Sequence, residues 1–267
     1  MKLKKYLALT RAGLVESLQY RLAMFVMVIG NLLYLTLVYF LWKSIYASAG
    51  GGTVNGMTFS DTLIYLVLAT ALFNFMEMYT VWEIGRNIQS GKIVLDLLKP
   101  MRYRSYLFWS YTGTFVTQFF ATFLPTFIIV TVLTHGAVPI GINLLWFAVS
   151  VVLSIVINFS IDFIVGTICL YTESIWGINI MKQVIVLLLS GATIPLAFFP
   201  EGLRKVVDRL PFQAIYNAPL TILLKADPSA ADVLPVIGTQ LFWAVIMTTA
   251  GCLFWKQSLR QITVNGG

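Results

Sequence analysis

Residues 83–106 read E-I-G-R-N-I-Q-S-G-K-I-V-L-D-L-L-K-P-M-R-Y-R-S-Y, a long polar stretch set between two hydrophobic runs. Arg86, Lys92, Lys99, Arg102 and Arg104 outnumber Glu83 and Asp96 here, so the stretch is strongly basic. It also has an apolar pattern of its own. Ile88, Ile93, Val94, Leu97 and Leu98 fall roughly on one side of a short helix. Gly91 breaks the chain before that helix and Pro100 stops it. A basic loop between apolar runs anchors its neighbours on the cytoplasmic side of a membrane. Its apolar stripe makes it, in addition, a candidate docking helix for a cytoplasmic partner, with Val94, Leu97 and Leu98 toward the partner and Lys92, Lys99 and Arg102 at the rim.

Working outward, the 267 residues are 58% hydrophobic and only 11% charged. Mean hydropathy is +0.84, where soluble domains carry about 25% charged residues. Several runs of roughly 20 apolar residues match a hydrocarbon core about 30 Å thick. The expected fold class is therefore an all-α integral membrane protein with six transmembrane helices. The net charge of +7 sits in short clusters beside the apolar runs. That placement fits anionic lipid and the positive-inside rule, and no basic-aromatic motif for nucleic acid is present.

The spans are expected at about 22–42, 62–82, 107–133, 144–170, 178–198 and 236–255, with Pro125 kinking the third. The first has 21 residues, longer than the core of a signal peptide (about 7–15), so it reads as a retained span although Ala47-Ser48-Ala49 imitates a cleavage site. Residues 1–21 read as a basic amphipathic helix lying in the cytoplasmic interface, with Leu3, Tyr6, Leu7, Thr10, Leu14 and Leu18 near helical spacing. Residues 200–233 combine an amphipathic E-G-L-R-K-V-V-D-R-L with an apolar F-Q-A-I-Y-N-A-P-L-T-I-L-L too short to cross, and the prolines suggest short helices that dip in and return on the external side. Gly191, Pro195 and Pro200 would end the fifth span early, and Pro211 and Pro219 would delimit a second short helix near Tyr216. No soluble domain is visible, so 1–267 reads as one transmembrane domain. Six spans put both termini on one side. The cytoplasmic side then collects Lys2, Lys4, Lys5, Arg11, Arg21, the cations of 83–106, Lys182, Lys256 and Arg260, leaving Lys43, Arg204, Lys205, Arg209 and Lys225 outside.

Chemistry is sparse. The chain has no H-E-x-x-H, no G-x-S-x-G and no phosphate loop, hence no candidate catalytic residue and no ATP site of its own. His135 is the only histidine and Cys169 and Cys252 lack metal spacing, so no metal site is expected. Ionisable residues within spans are costly and therefore informative. Glu77, Asp162 and Lys182 qualify, and all lie toward the cytoplasmic ends, short of a proton relay across the midplane. Asp162 lies about ten residues before the turn near Thr172 and Glu173, and Lys182 about ten after it. At 1.5 Å per residue the two sit at similar depth on neighbouring helices. They either neutralise each other, or Lys182 snorkels inward while Asp162 meets a partner subunit.

Three stretches together resemble one family: W-E-I-G-R-N-I-Q-S-G-K-I-V-L-D-L-L-K-P, S-G-A-T-I-P-L-A-F-F-P and R-L-P-F-Q-A-I-Y-N-A-P. They are similar to the permease subunits of ABC transporters of the type 2 exporter class, in the compact six-span branch. The resemblance implies a coupling loop at 84–106 that docks on an ATPase, with Glu83, Gly85, Arg86, Ile88, Gly91, Lys92, Val94, Leu95, Leu97, Leu98, Lys99 and Pro100 as its residues. It further implies re-entrant external helices carrying Gly191, Pro195, Pro200, Pro211, Tyr216 and Pro219. The expected partners are a pair of ABC ATPase subunits, which would bind the ATP and Mg, a second permease chain (identical or similar), and the bilayer of the inner cell membrane. The substrate would be lipid-like, drug-like or peptide, moved outward. Two other classes fit the composition alone: a secondary carrier, or a membrane anchor for a cytoplasmic complex.

Overall fold

The computed structural model describes residues 2–19, 21–172 and 174–261. Tyr20 in the leader and Glu173 in the expected turn lie outside them. The order is α1 (Lys2–Gln19), α2 (Arg21–Ser48), a hairpin of β1 (Thr53–Val54) and β2 (Met57–Thr58), α3 (Phe59–Met76), α4 (Thr80–Gln89), α5 (Ile93–Leu97) and α6 (Tyr103–Gln118). A π-helical turn at Phe119–Phe123 leads into α7 (Leu124–Leu133), followed by α8 (Ile142–Ile168), α9 (Ile175–Leu189), α10 (Glu201–Val207), α11 (Asn217–Leu224) and α12 (Ala230–Ser258).

Five helical stretches among the described residues are long and apolar enough to cross a membrane: Val28–Ser48, Phe59–Gln89, Tyr103–Leu133, Ile142–Ile168 and Ala230–Ser258. The run expected at 178–198 is shorter than its sequence suggested. Its helix α9 has 15 residues, about 22 Å at 1.5 Å per residue, against a core about 30 Å thick. Gly191, at φ +79°, turns the chain there, and a Cβ at that position would fall 2.7 Å from the Tyr65 hydroxyl. The expected kink at Pro125 is realised as the π turn just before it, whose wider spacing accommodates the missing N–H.

Helix α1, expected to lie in the cytoplasmic interface, packs lengthwise on α6 and runs in the same direction. Tyr6 stacks on Trp109, and the Ser17 hydroxyl meets Thr117 Oγ1 at 2.7 Å. Gly13 and Gly113 bring the two backbones into contact, and a Cβ on either would strike the other helix's backbone. Close approach of these small residues sets where α1 lies on α6. Helix α2, by contrast, is held at one end only. Trp42 and Tyr46 are its buried side chains among those described. Trp42 packs edge-on against Phe198, and the Tyr46 hydroxyl reaches Thr62 and the Met57 carbonyl.

The core lies between α3, α8, α11 and α12. Its apolar helices are interrupted twice, and each interruption is closed by a buried amide. Between α3 and α4 the helix opens at Glu77–Tyr79, and Asn158 of α8 donates to the freed Met76 carbonyl at 3.0 Å. The segment before α11 passes between α8 and α12. There Gln240 donates to the Ala214 carbonyl at 2.9 Å, Ser154 donates to the same oxygen at 3.1 Å, and Ser150 donates to Gln240 Oε1 at 2.8 Å. Asn143 donates to the Leu223 carbonyl at the end of α11. Pro219, expected to bound a helix, lies instead in the first turn of α11, where no intrahelical N–H is needed. The stretch from Ala214 to Leu223 is almost wholly buried, Tyr216 included.

Replacing Gln240 with Leu removes two donors and one acceptor from this buried set. We expect Gln240→Leu to lower stability by about 1–3 kcal/mol, read as a downward shift of thermal unfolding in detergent. Leu241→Ala, one residue away with its side chain 54% exposed, should shift it little.

Candidate functional site

The basic stretch folds into the parts of a compact elbow. Helix α4 continues to Gln89 and α6 begins at Tyr103, so the loop expected over 84–106 is confined to residues 90–102. Gly91, at φ +70°, turns the chain into α5. Within α5 the side chains divide into two sets. Ile93 and Asp96 are buried, Val94 packs partly against the core, and Leu95 and Leu98 are 64% and 77% exposed. Leu97 is 36% exposed and sits between the sets. The outward face is therefore Leu95 and Leu98 with Leu97, and Val94 does not belong to it. A short turn tied to the bundle through Ile93 and Asp96 must carry its free face one residue away from the sequence stripe.

Asp96 fixes the elbow. Asn87 of α4 donates to its Oδ2 at 2.9 Å, and the Lys99 ammonium lies 2.7 Å from its Oδ1. Lys99 also stands 3.6 Å from the Tyr106 ring centroid on α6. Burial pulls the Lys99 pKa down, but its bonds to Asp96 and Tyr106 outweigh this and hold it above the ordinary lysine value. Tyr103 stacks on Trp255 of α12 at 5.0 Å. The elbow is thus joined to α4, α6 and α12.

The other residues expected there point elsewhere. Glu83 accepts from the Tyr111 hydroxyl at 2.8 Å. Gly85 lies beneath Ile175 of α9, Ile88 packs against the core, and Arg86, Lys92 and Pro100 are exposed. Arg104, counted by sequence among the loop cations, instead enters the bundle. It donates to Ser160 of α8 at 2.8 Å and Thr248 of α12 at 3.1 Å, with its guanidinium over Phe159.

Asp162 and Lys182 meet directly, with Nζ 2.8 Å from Oδ1. Their side chains are 1% and 11% exposed. No hydroxyl or amide among the described residues donates to the Asp162 carboxylate, so this charge depends on the lysine. Glu77, at the opening between α3 and α4, lies near enough for both charges to act on it, and Tyr79 approaches its carboxylate. These three charges are thus one cluster at the same interruption that Asn158 closes. Asn143, Asn158 and Gln240 are buried polar partners, and Arg104 a half-buried one, whose roles sequence reasoning did not assign. Their signal was present as isolated amides and one arginine in or beside apolar runs, but nothing local said what each would face.

Long apolar helices, a polar elbow and a buried ion pair define an integral membrane protein. A family model described as an ABC-2 family transporter protein matches residues 32–266, and the chain belongs to that family. It is a permease component of an ABC transporter. Comparison with curated proteins gives no significant match.

The geometry makes the ion pair testable. Asp162→Asn or Lys182→Met alone leaves a buried charge without its partner and should cost about 3–5 kcal/mol. The double substitution should cost clearly less than the sum. A coupling near zero in a double-mutant cycle on thermal unfolding would show that the two act independently.

Proposed function

We propose that this chain is the membrane half of an exporter whose ATP hydrolysis is performed by a separate ABC ATPase, docked on the elbow at 90–102. The observation that carries the reading is the pair Leu95 and Leu98, 64% and 77% exposed on a short helix flanked by Lys92, Lys99 and Arg102. Two leucines exposed beside cations suit an apolar groove with an acidic rim. Asp96, Asn87 and Lys99 link that helix to α4 and α6, so a push on it reaches the bundle through charged contacts. This chain carries no catalytic residue in the reading. ATP and Mg belong to the partner, and two permease chains, identical or similar, enclose one path.

The proposed topology has six spans, with α3 and α4 forming one, α6 and α7 another, and the short α9 counted as the sixth. Both termini then face the cytoplasm of the cell's inner membrane. Residues 200–233 form the external re-entrant segment, with the amphipathic α10 at the surface. Its Glu201–Lys205 pair at 2.6 Å is exposed, as suits an aqueous face. In this arrangement the substrate is an amphipathic molecule moved outward.

Leu95→Asp combined with Leu98→Asp should reduce substrate-stimulated ATP hydrolysis of the complex to its basal rate while insertion and thermal unfolding stay unchanged. Full stimulation in that variant would exclude the docking role. For the topology, Lys205→Cys and Lys225→Cys should each react with an impermeant thiol reagent added outside intact cells. Reaction only after the membrane is opened would place this segment on the cytoplasmic side.

A further inference from the structure

A cavity of about 600 Å³ lies between α1, α4 and α6, within the range of small-molecule sites. Glu16 of α1 and Glu83 of α4 put two carboxylates on its wall. Gln118 of α6 lines it with a buried Oε1 that has no hydrogen-bond partner. Tyr79 and Tyr111 add aromatic rings, and the Tyr111 hydroxyl is already committed to Glu83. Arg86 is the cation on this wall among the described residues, and it forms no ion pair with either glutamate. The wall is thus rich in acceptors and negative charge, with apolar surface from Leu9 and Ala12. Tyr106, at the cavity edge, already receives the Lys99 ammonium on its ring, so an aromatic–cation contact is in use beside it.

An anionic guest would meet two carboxylates. A neutral apolar one would leave both carboxylates without a counter-charge. A positively charged guest with N–H donors pairs with the carboxylates, and the tyrosine rings favour a cation near their faces. We propose that this cavity binds an organic cation carrying N–H donors on an aromatic or alkyl body, and that such amphipathic amines are the substrate class of this permease. Only the word substrate rests on the exporter reading above; the binding site stands on the cavity itself.

The test is a fluorescence titration of the full chain in nanodiscs of zwitterionic lipid, with ethidium as the cationic probe and fluorescein as the anionic one. Ethidium should bind saturably, and fluorescein should not displace it. Glu16→Gln and Glu83→Gln should each weaken ethidium on the order of tenfold, the size of one hydrogen bond to a charged group. Glu83→Gln keeps an acceptor for Tyr111, and Glu16 is exposed, so neither change threatens the fold. Phe123→Ala, in a separate apolar cavity of about 360 Å³ lined by Phe75, Phe119 and Phe147, should leave the affinity as it is. Absence of ethidium binding, equal displacement by fluorescein, unchanged affinity in both glutamine variants, or a loss confined to Phe123→Ala would each overturn the proposal. The titration needs no ATPase, so its failure leaves the docking role intact, and failure of the Leu95 and Leu98 experiment leaves the binding result intact.

Discussion

A broken helix inside an apolar bundle must find partners for the backbone groups it frees, and this structure depends on that constraint. Water does not reach such groups in hydrocarbon, and each one left bare is costly. The carbonyl of Met76 is taken by Asn158, that of Ala214 by Gln240 and Ser154, and that of Leu223 by Asn143. All of these donors come from α8 and α12. Those two helices therefore act as the frame on which the interrupted elements hang. The opening after Met76 sets the direction of α4, and α4 in turn carries Asn87, which positions the elbow through Asp96.

Charge follows the same logic. Asp162 and Lys182 are tolerable inside the bundle because they are 2.8 Å apart, and each would be expensive alone. Arg104 is accommodated differently, by two hydroxyls and an aromatic face rather than a carboxylate. It ties α6 to α8 and α12 near the elbow. Polar contacts join α4, α5 and α6 at the elbow. The ends away from the elbow combine aromatic packing, as between Trp42 and Phe198, with hydrogen bonds such as Tyr46 to Thr62 and Asn143 to the Leu223 carbonyl.

The weakly held elements also have a physical reason. Most of α2 is exposed in the single chain, and its apolar side chains suit lipid or another helix. Helix α9 is short and buries few side chains, with Lys182 its strongest tie to α8. Helix α1 gains its position from Gly13 and Gly113, where backbone contact replaces side-chain interdigitation.

Much of this was legible in the sequence. Long apolar runs require helices in a bilayer because every backbone group must be satisfied within the segment. Gly91 and Pro100 bounded the elbow, and Gly191 marked the end of α9. The similar depth of Asp162 and Lys182 followed from residue counting along antiparallel helices. Residue counting does not give azimuth, so only the packing of α8 against α9 decided that the two side chains meet. The same limit hid the outward face of α5. Over five residues a stripe is too short to define a side, and burial of Ile93 and Asp96 turned Leu95 outward and Val94 inward. The amphipathic pattern of α1 records which face is apolar but not whether that face meets lipid or another helix, so only the packing showed α6 as its neighbour. The roles of Asn143, Asn158 and Gln240 were decided by tertiary structure alone, since their partners are backbone carbonyls that become free only where distant segments break.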